Sequence, residues 1–276
     1  MRVGLLEDDE ALAWQSGFMR CVDDRVRLGL PGLRYLTSWE TLAAAARKLS
    51  GFRAKMVFLG SGDFHHLSLL FIRREAAKGP LSVLVFDRHL DVFPCAKGFV
   101  SCGSWLRELT RFSSVRRVLV FGVTEPVPPL PPRIIALSPL AWWHWFLRAR
   151  HRLLSYLGAR VCYISIDKDV FTETATNWGT GRLRLGQVLS FLGWLMRHVR
   201  VTGVDVCGEF VPRGLWATFA ERRVLAESEK INLLLCRFFA RRDRERSRED
   251  GAVTKPSPVQ VWAEPGGIPD AGTRAG

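Results

Sequence analysis

None of the six cysteines (Cys21, Cys95, Cys102, Cys162, Cys207, Cys236) stands in a Cys-x-x-Cys pair, which removes the commonest spacing for a metal ribbon or a redox dithiol. Several sit in apolar runs, where a free thiol behaves as a small hydrophobe, so a reduced, cytoplasmic setting is expected. No apolar run reaches membrane-spanning length; the nearest, 134–147, is interrupted by Pro139 and His144. The first ten residues turn acidic at once, so no secretory signal is expected. No internal repeat is present. Basic residues outnumber acidic ones, 40 to 27, for a net charge of +13, yet they are scattered as Arg73-Arg74, Arg116-Arg117, Arg222-Arg223 and Arg241-Arg242. No aromatic-interleaved basic motif appears, so these read as solvated faces and a nucleic-acid partner is not expected.

What remains is a chain of 276 residues, 47% hydrophobic, enough for one α/β domain with a substantial core. Apolar runs at 56–59, 81–86, 117–123, 161–166 and 201–206 read as strands, and the stretches between them as helices. Thr37 to Thr41 resembles a capped helix start, with the helix running to Leu49. Helices are expected over 67–78, 105–112, 142–157, 184–200 and 215–240. Alternation of strand and helix is the signature of a parallel sheet. The Pro-rich stretch Glu125 to Pro132 must be extended, as a spacer or a stiff rim. The domain is expected over 1–244, with 245–276 a disordered tail rich in charge, then in Gly, Pro and Ala. In the 142–157 helix, Trp142, Trp143, Trp145 and Phe146 read as core, His144 and His151 as surface.

Two stretches carry ligand-type side chains at strand ends. Asp87, His89 and Asp91 follow Val83 to Phe86; Asp167 and Asp169 follow Val161 to Ile166. In an extended chain, positions two apart share a side, so Arg88, Leu90 and Lys168 would point away. The carboxylates would then stand at the C-terminal mouth of a parallel sheet, where such sheets bind ligands. Four carboxylates in one cleft repel each other, and a pair of divalent cations would cancel their charge. Oxygen-rich ligands with some imidazole suit Mn²⁺, with Zn²⁺ and Fe²⁺ open. A third turn, Gly60-Ser61-Gly62-Asp63-Phe64-His65-His66, offers two histidines, either of which could complete the site.

The ordered set Gly-Asp-(Phe)-His, Asp-x-His-x-Asp and Ser-x-Asp-x-Asp resembles the arginase/agmatinase (ureohydrolase) superfamily over roughly 55–210. The resemblance implies a three-layer α/β/α fold with a mostly parallel sheet and a binuclear manganese site. Its ligands would be His65 (or His66), Asp87, His89, Asp91, Asp167 and Asp169, with Asp87 and Asp167 bridging the ions and Asp91 also holding the bridging hydroxide. It implies hydrolysis of a carbon–nitrogen bond in a small guanidino or amide compound. A carboxylate at the end of the 201–206 strand would meet the substrate's basic group: Glu209, with Asp205 as the alternate. The family's proton-shuttling histidine has no counterpart, because Ser101-Cys102-Gly103-Ser104 occupies its region. His66 is the stand-in acid–base group, imidazole titrating near working pH. The other reading is a non-catalytic, metal-stabilised scaffold of the same fold. A homo-oligomeric state is left open. The 172–181 loop, just past two ligands, would either lie over the metals or merely connect strand to helix.

Overall fold

The computed structural model of the chain describes residues 1–253 apart from positions 213 and 215. Eight strands form one sheet: β1 (Val3–Leu6), β2 (Asp24–Val26), β4 (Met56–Phe58), β5 (Leu81–Phe86), β7 (Val115–Phe121), β8 (Ile134–Leu137), β9 (Val161–Asp167) and β10 (Arg200–Cys207). Their order is β2-β1-β4-β10-β9-β5-β7-β8, and every pairing is parallel. A separate antiparallel ribbon joins β3 (Leu36–Ser38) to β6 (Phe99–Ser101).

Alternation along the strands sorts the core into two layers. Leu84, Phe86, Ile164, Ile166, Val204 and Val206 face one way. They pack on α1 (Ser16–Met19), α5 (Pro139–Leu157), α6 (Leu185–Leu195) and α7 (Phe219–Val253) through Phe18, Trp142, Phe191 and Leu235. Val83, Val85, Val118 and Val120 face the other way. There α2 (Trp39–Lys48), α3 (Ser68–Ala76) and α4 (Trp105–Leu109) cover them with Leu42, Phe71, Ile72 and Leu106. The result is the expected three-layer α/β/α arrangement. Burial on both faces explains why Val83 to Phe86 of β5 and Cys162 to Ile164 of β9 read as continuous apolar runs.

Local signals hold in several places. Ser38 caps α2 by accepting from the Thr41 amide at 3.1 Å. Ser138 caps α5, with Pro139 in the first turn, so this helix starts three residues before the apolar stripe does. Trp142 and Phe146 are core, Trp143 and Trp145 pack partly buried against it, and His144 and His151 are exposed. Helix α7 runs on through the start of the stretch expected as a tail, held by Arg241 and Arg242 pairing with Glu245 one turn away. Residues 254–276 lie outside the described residues.

The topology fixes where a site can form. β4 and β5 are nearly consecutive in the chain but stand apart in the sheet, with β10 and β9 between them. The C-terminal ends of these four strands therefore open onto one crevice at a topological switch point.

Candidate metal centre

Each strand end in that crevice leads into a tight turn that carries the polar side chains. β5 stops at Phe86, so Asp87, His89 and Asp91 lie on a loop rather than on the strand. Asp87 bends the chain at once, its Oδ1 accepting from the His89 amide at 2.7 Å. Asp167 does the same with the Asp169 amide at 2.9 Å, and Asp169 falls in a short 3₁₀ turn, Lys168–Val170. The period-two expectation is thus corrected: the side chains converge through Asx-type turns, not through strand alternation. Asp91 sits at φ +45°, a left-handed conformation rare for a residue with a side chain. Its Oδ2 accepts from the Trp105 indole at 2.8 Å.

His65 comes from the 3₁₀ turn Gly62–Leu67 that follows β4. Its Nδ1 lies 3.2 Å from Asp87 Oδ2, 3.3 Å from Asp91 Oδ2 and 3.6 Å from Asp167 Oδ2. Asp87 and Asp167 therefore reach a common point. His89 Nδ1 lies 2.8 Å from Asp169 Oδ2 and 3.6 Å from Asp87 Oδ1. Among the described residues, three groups bring ligand atoms within 4.8 Å of one another: His65, Asp87 and Asp91; Asp87, His89 and Asp169; His65, Asp167 and Cys207. All six residues expected as ligands fall in them, with His65 rather than His66 supplying the imidazole.

A chain of hydrogen bonds aims His65. Ser165 donates to Asp205 Oδ1 at 2.6 Å, so its oxygen is left to accept from His65 Nε2–H, 3.0 Å away. That leaves the Nδ1 lone pair facing three carboxylates, an arrangement that needs a cation, either a proton or a metal ion. Asp205 accordingly acts through His65 and Ser165 rather than on a substrate.

The electrostatics say the same. Burial and then the Asp87 charge push Asp91 up to about 7. Burial followed by neighbouring carboxylates raises Asp167, and raises Asp169 well above the ordinary value. Burial works against charge on both imidazoles, yet His65 is held well above its ordinary value by Cys207, Asp87 and Asp91, and His89 is raised to about 11 by Asp169 and Asp87. Asp87, opposed by burial, is drawn below the carboxylate range by His65 and His89. Asp87 Oδ2 and Asp169 Oδ2 are buried and have no hydrogen-bond partner, although an imidazole nitrogen lies close to each. Close approach without an aligned N–H fits groups arranged around a shared ion.

Glycines make room for the cluster. A Cβ on Gly208, at φ +83°, would stand 2.2 Å from Asp167 Oδ1, and one on Gly62 would stand 3.2 Å from Asp167 Oδ2. Over the top, the 172–181 loop places the Trp178 ring 6.0 Å from that of His89. The indole donates to Asp63 Oδ1 at 2.7 Å, and Arg34 pairs with the other oxygen of Asp63. The loop therefore lies over the cluster. The Pro-rich stretch joins the rim through Glu125, 3.7 Å from His89 Nε2.

Two expected residues are elsewhere. His66 Nε2 lies 2.7 Å from Thr37 Oγ1, whose hydroxyl donates to the Leu33 carbonyl. Burial and the neighbouring His65 lower His66 to about 4, so it is neutral and tied to the 33–37 segment, outside the three ligand groups. Glu209 is 1% exposed, with both oxygens taken: Lys168 and Asn232 on one, Gln15 and Ser228 on the other. Two of these partners, Ser228 and Asn232, lie on α7. Sequence reasoning gave no role to Trp105, Ser165 or Cys207. Two of them had a signal: Ser165 opens the Ser-x-Asp-x-Asp motif two residues before Asp167, and Cys207 stands two residues beyond Asp205, each on the same face of its strand.

No family model matches the chain. A Thermotoga maritima protein, itself uncharacterized, is 31% identical over 207 residues, 74% of this chain and 75% of its own. Formimidoylglutamase from Bacillus subtilis superposes over 87% of this chain and 86% of its own at a TM-score of 0.62 and 13% identity. Proclavaminate amidino hydrolase from Streptomyces clavuligerus covers 84% and 79% at 0.57 and 18% identity. Formiminoglutamase from Trypanosoma cruzi, solved with Mn²⁺, covers 86% and 92% at 0.55 and 14% identity. This is an arginase-like ureohydrolase fold, in one family with the Thermotoga protein. As in other open α/β sheets, the ureohydrolase fold sets its candidate site outside the carboxyl ends of the strands.

Proposed function

We propose that the protein is a dinuclear metal-dependent hydrolase acting on a carbon–nitrogen bond of a small guanidino or amide compound. The observation that carries this is the overlap of the ligand groups: Asp87 belongs to one with His65 and to another with His89. His65, Asp87, Asp91 and Asp167 would hold one ion, and Asp87, His89, Asp167 and Asp169 the other. When bound, two divalent cations, Mn²⁺ foremost, would supply an acidified water as the nucleophile. Asp91, its Oδ2 fixed by Trp105, is the residue placed to take a proton at Oδ1. Trp178 walls the mouth, and Glu125, rather than the enclosed Glu209, is the carboxylate beside it that suits a cationic substrate group. The six cysteines are free, and a cytoplasmic setting is part of the proposal. No helix among the described residues is long and apolar enough to cross a membrane.

One observation favours the scaffold reading: His66 is bonded to Thr37, and no histidine other than His65 and His89 joins the ligand groups. Metal analysis and a panel of guanidino and amide compounds separate the two. Two ions per chain, turnover, and loss of both in Asp87→Ala support a hydrolase. Two ions without turnover across the panel leave the scaffold. A metal-free chain after refolding with excess Mn²⁺ sinks both.

A further inference from the structure

The ligand groups contain one residue that a purely oxygen-and-imidazole centre does not need. Cys207 ends β10 on the same face as Asp205, fully buried, with its Sγ 3.2 Å from Asp167 Oδ2. It forms a group with His65 and Asp167, and His65 is shared with the group of Asp87 and Asp91. A buried, unpartnered oxygen, Asp87 Oδ2, points into the same space. Gly208 follows directly, and its missing Cβ leaves the Asp167 carboxylate room beside the thiol.

We propose that Cys207 is a thiolate ligand of the ion held by His65, Asp87 and Asp167, which gives this half of the centre a preference for a softer ion such as Zn²⁺ or Co²⁺ over Mn²⁺. Thiolate favours the softer ions, whereas carboxylate sites suit Mn²⁺. On binding, the thiol proton leaves to solvent and the sulfur lone pair goes to the metal. The centre would then be asymmetric: one ion with sulfur, imidazole and carboxylate, its neighbour with imidazole and carboxylates alone. This inference rests on the cluster being a metal centre.

The test uses the full chain stripped of metal and loaded with Co²⁺ or Zn²⁺. The Co²⁺ protein should show a near-ultraviolet sulfur-to-metal charge-transfer band that Cys207→Ser abolishes and Cys102→Ser keeps. Cys102 is the control, a second thiol that feels the charges of Asp91 and His65. The Zn²⁺ wild type should show a sulfur neighbour at about 2.3 Å by X-ray absorption, a measurement that does not depend on a variant folding. Preference for Zn²⁺ over Mn²⁺ should fall by about tenfold or more in Cys207→Ser. Metal bound with only nitrogen and oxygen neighbours overturns this inference and leaves the hydrolase reading intact, with Cys207 a hydrogen-bond donor to Asp167. A band that survives Cys207→Ser overturns it too. No metal bound at all overturns both.

Discussion

Three consecutive residues at the end of β9 point into two opposite worlds. Asp167 and Asp169 face a crevice with two more carboxylates and two imidazoles, where buried oxygens lack hydrogen-bond partners. Lys168, between them, faces the other layer. Its ammonium donates to Glu209, Ser228 and Asn232, and Glu209 in turn accepts from Asn232, Gln15 and Ser228. One cation meets one anion there, and every strong donor and acceptor has a partner. The first cluster is charged beyond what its own atoms can balance; the second is balanced and closed. Both are buried and polar, so burial alone does not mark a site. Imbalance does, because only an imbalance calls for something from outside.

The widest break of this contrast is Lys168→Met. It leaves Glu209 buried without a countercharge, and removing one partner of such a pair costs about 3–5 kcal/mol. Chemical denaturation should show that loss, and Lys168→Met with Glu209→Gln should regain part of it. A single variant as stable as the wild type would mean the closed network is passive.

On the open side, the metal-free protein should lose stability as pH rises from about 4 to about 7. Asp91, raised from 3.8 to about 7, binds its proton more tightly folded than unfolded, so its contribution is present at low pH and vanishes through its folded pKa. Asp167 and Asp169 are shifted the same way. Asp91 alone gives at most about 1.4 kcal/mol per pH unit. His66, lowered from 6.5 to about 4, works the opposite way over the same window, but it is outnumbered by Asp91, Asp167, Asp169 and Asp205, the last raised to about 6. His89, raised from 6.5 to about 11, withdraws its contribution mainly above that window, and Asp87, shifted down, acts below it. Bound metal should reverse the trend, since it needs ionised ligands. Melting curves across pH with and without Mn²⁺ check this; a flat metal-free profile would contradict it.

Gly208→Ala should cost about 1–3 kcal/mol in backbone strain at φ +83°. It should also displace Asp167, its Cβ falling 2.2 Å from Oδ1. Metal content should therefore drop, whereas a surface Gly51→Ala, with open space around it, should change neither. Trp105→Phe removes one hydrogen bond to Asp91, about 1 kcal/mol, and adds the cost of trimming a fully buried ring that packs on His65. The Asp91 titration should move further up, as infrared or carbon NMR would report.

Much of this was readable from the chain. The strands buried on both faces announce themselves as apolar runs, and Asp87, His89, Asp91, Asp167 and Asp169 stand out because five ligand-type residues directly follow two of them. His65 was left open against His66, since a helical turn sends neighbours in different directions and sequence does not say which. The partners of Lys168 lie 41, 60 and 64 residues away, so a buried lysine reads as a surface one until the chain closes. Glu209 meets Lys168, Gln15, Ser228 and Asn232, partners that lie far along the chain and that no local pattern announces. The edge strand β2 showed only as a weak candidate over 25–30, and the β3–β6 ribbon escaped notice, because three-residue strands with exposed positions carry almost no pattern.

The Gln15–Asn232 bond spans 217 positions of the chain and closes the lysine network directly behind the metal ligands. During synthesis every candidate ligand from His65 to Cys207 leaves the ribosome before Asn232 does. A growing chain therefore carries all the candidate donors for a time before α7 arrives to close the network around the Lys168 that stands between Asp167 and Asp169.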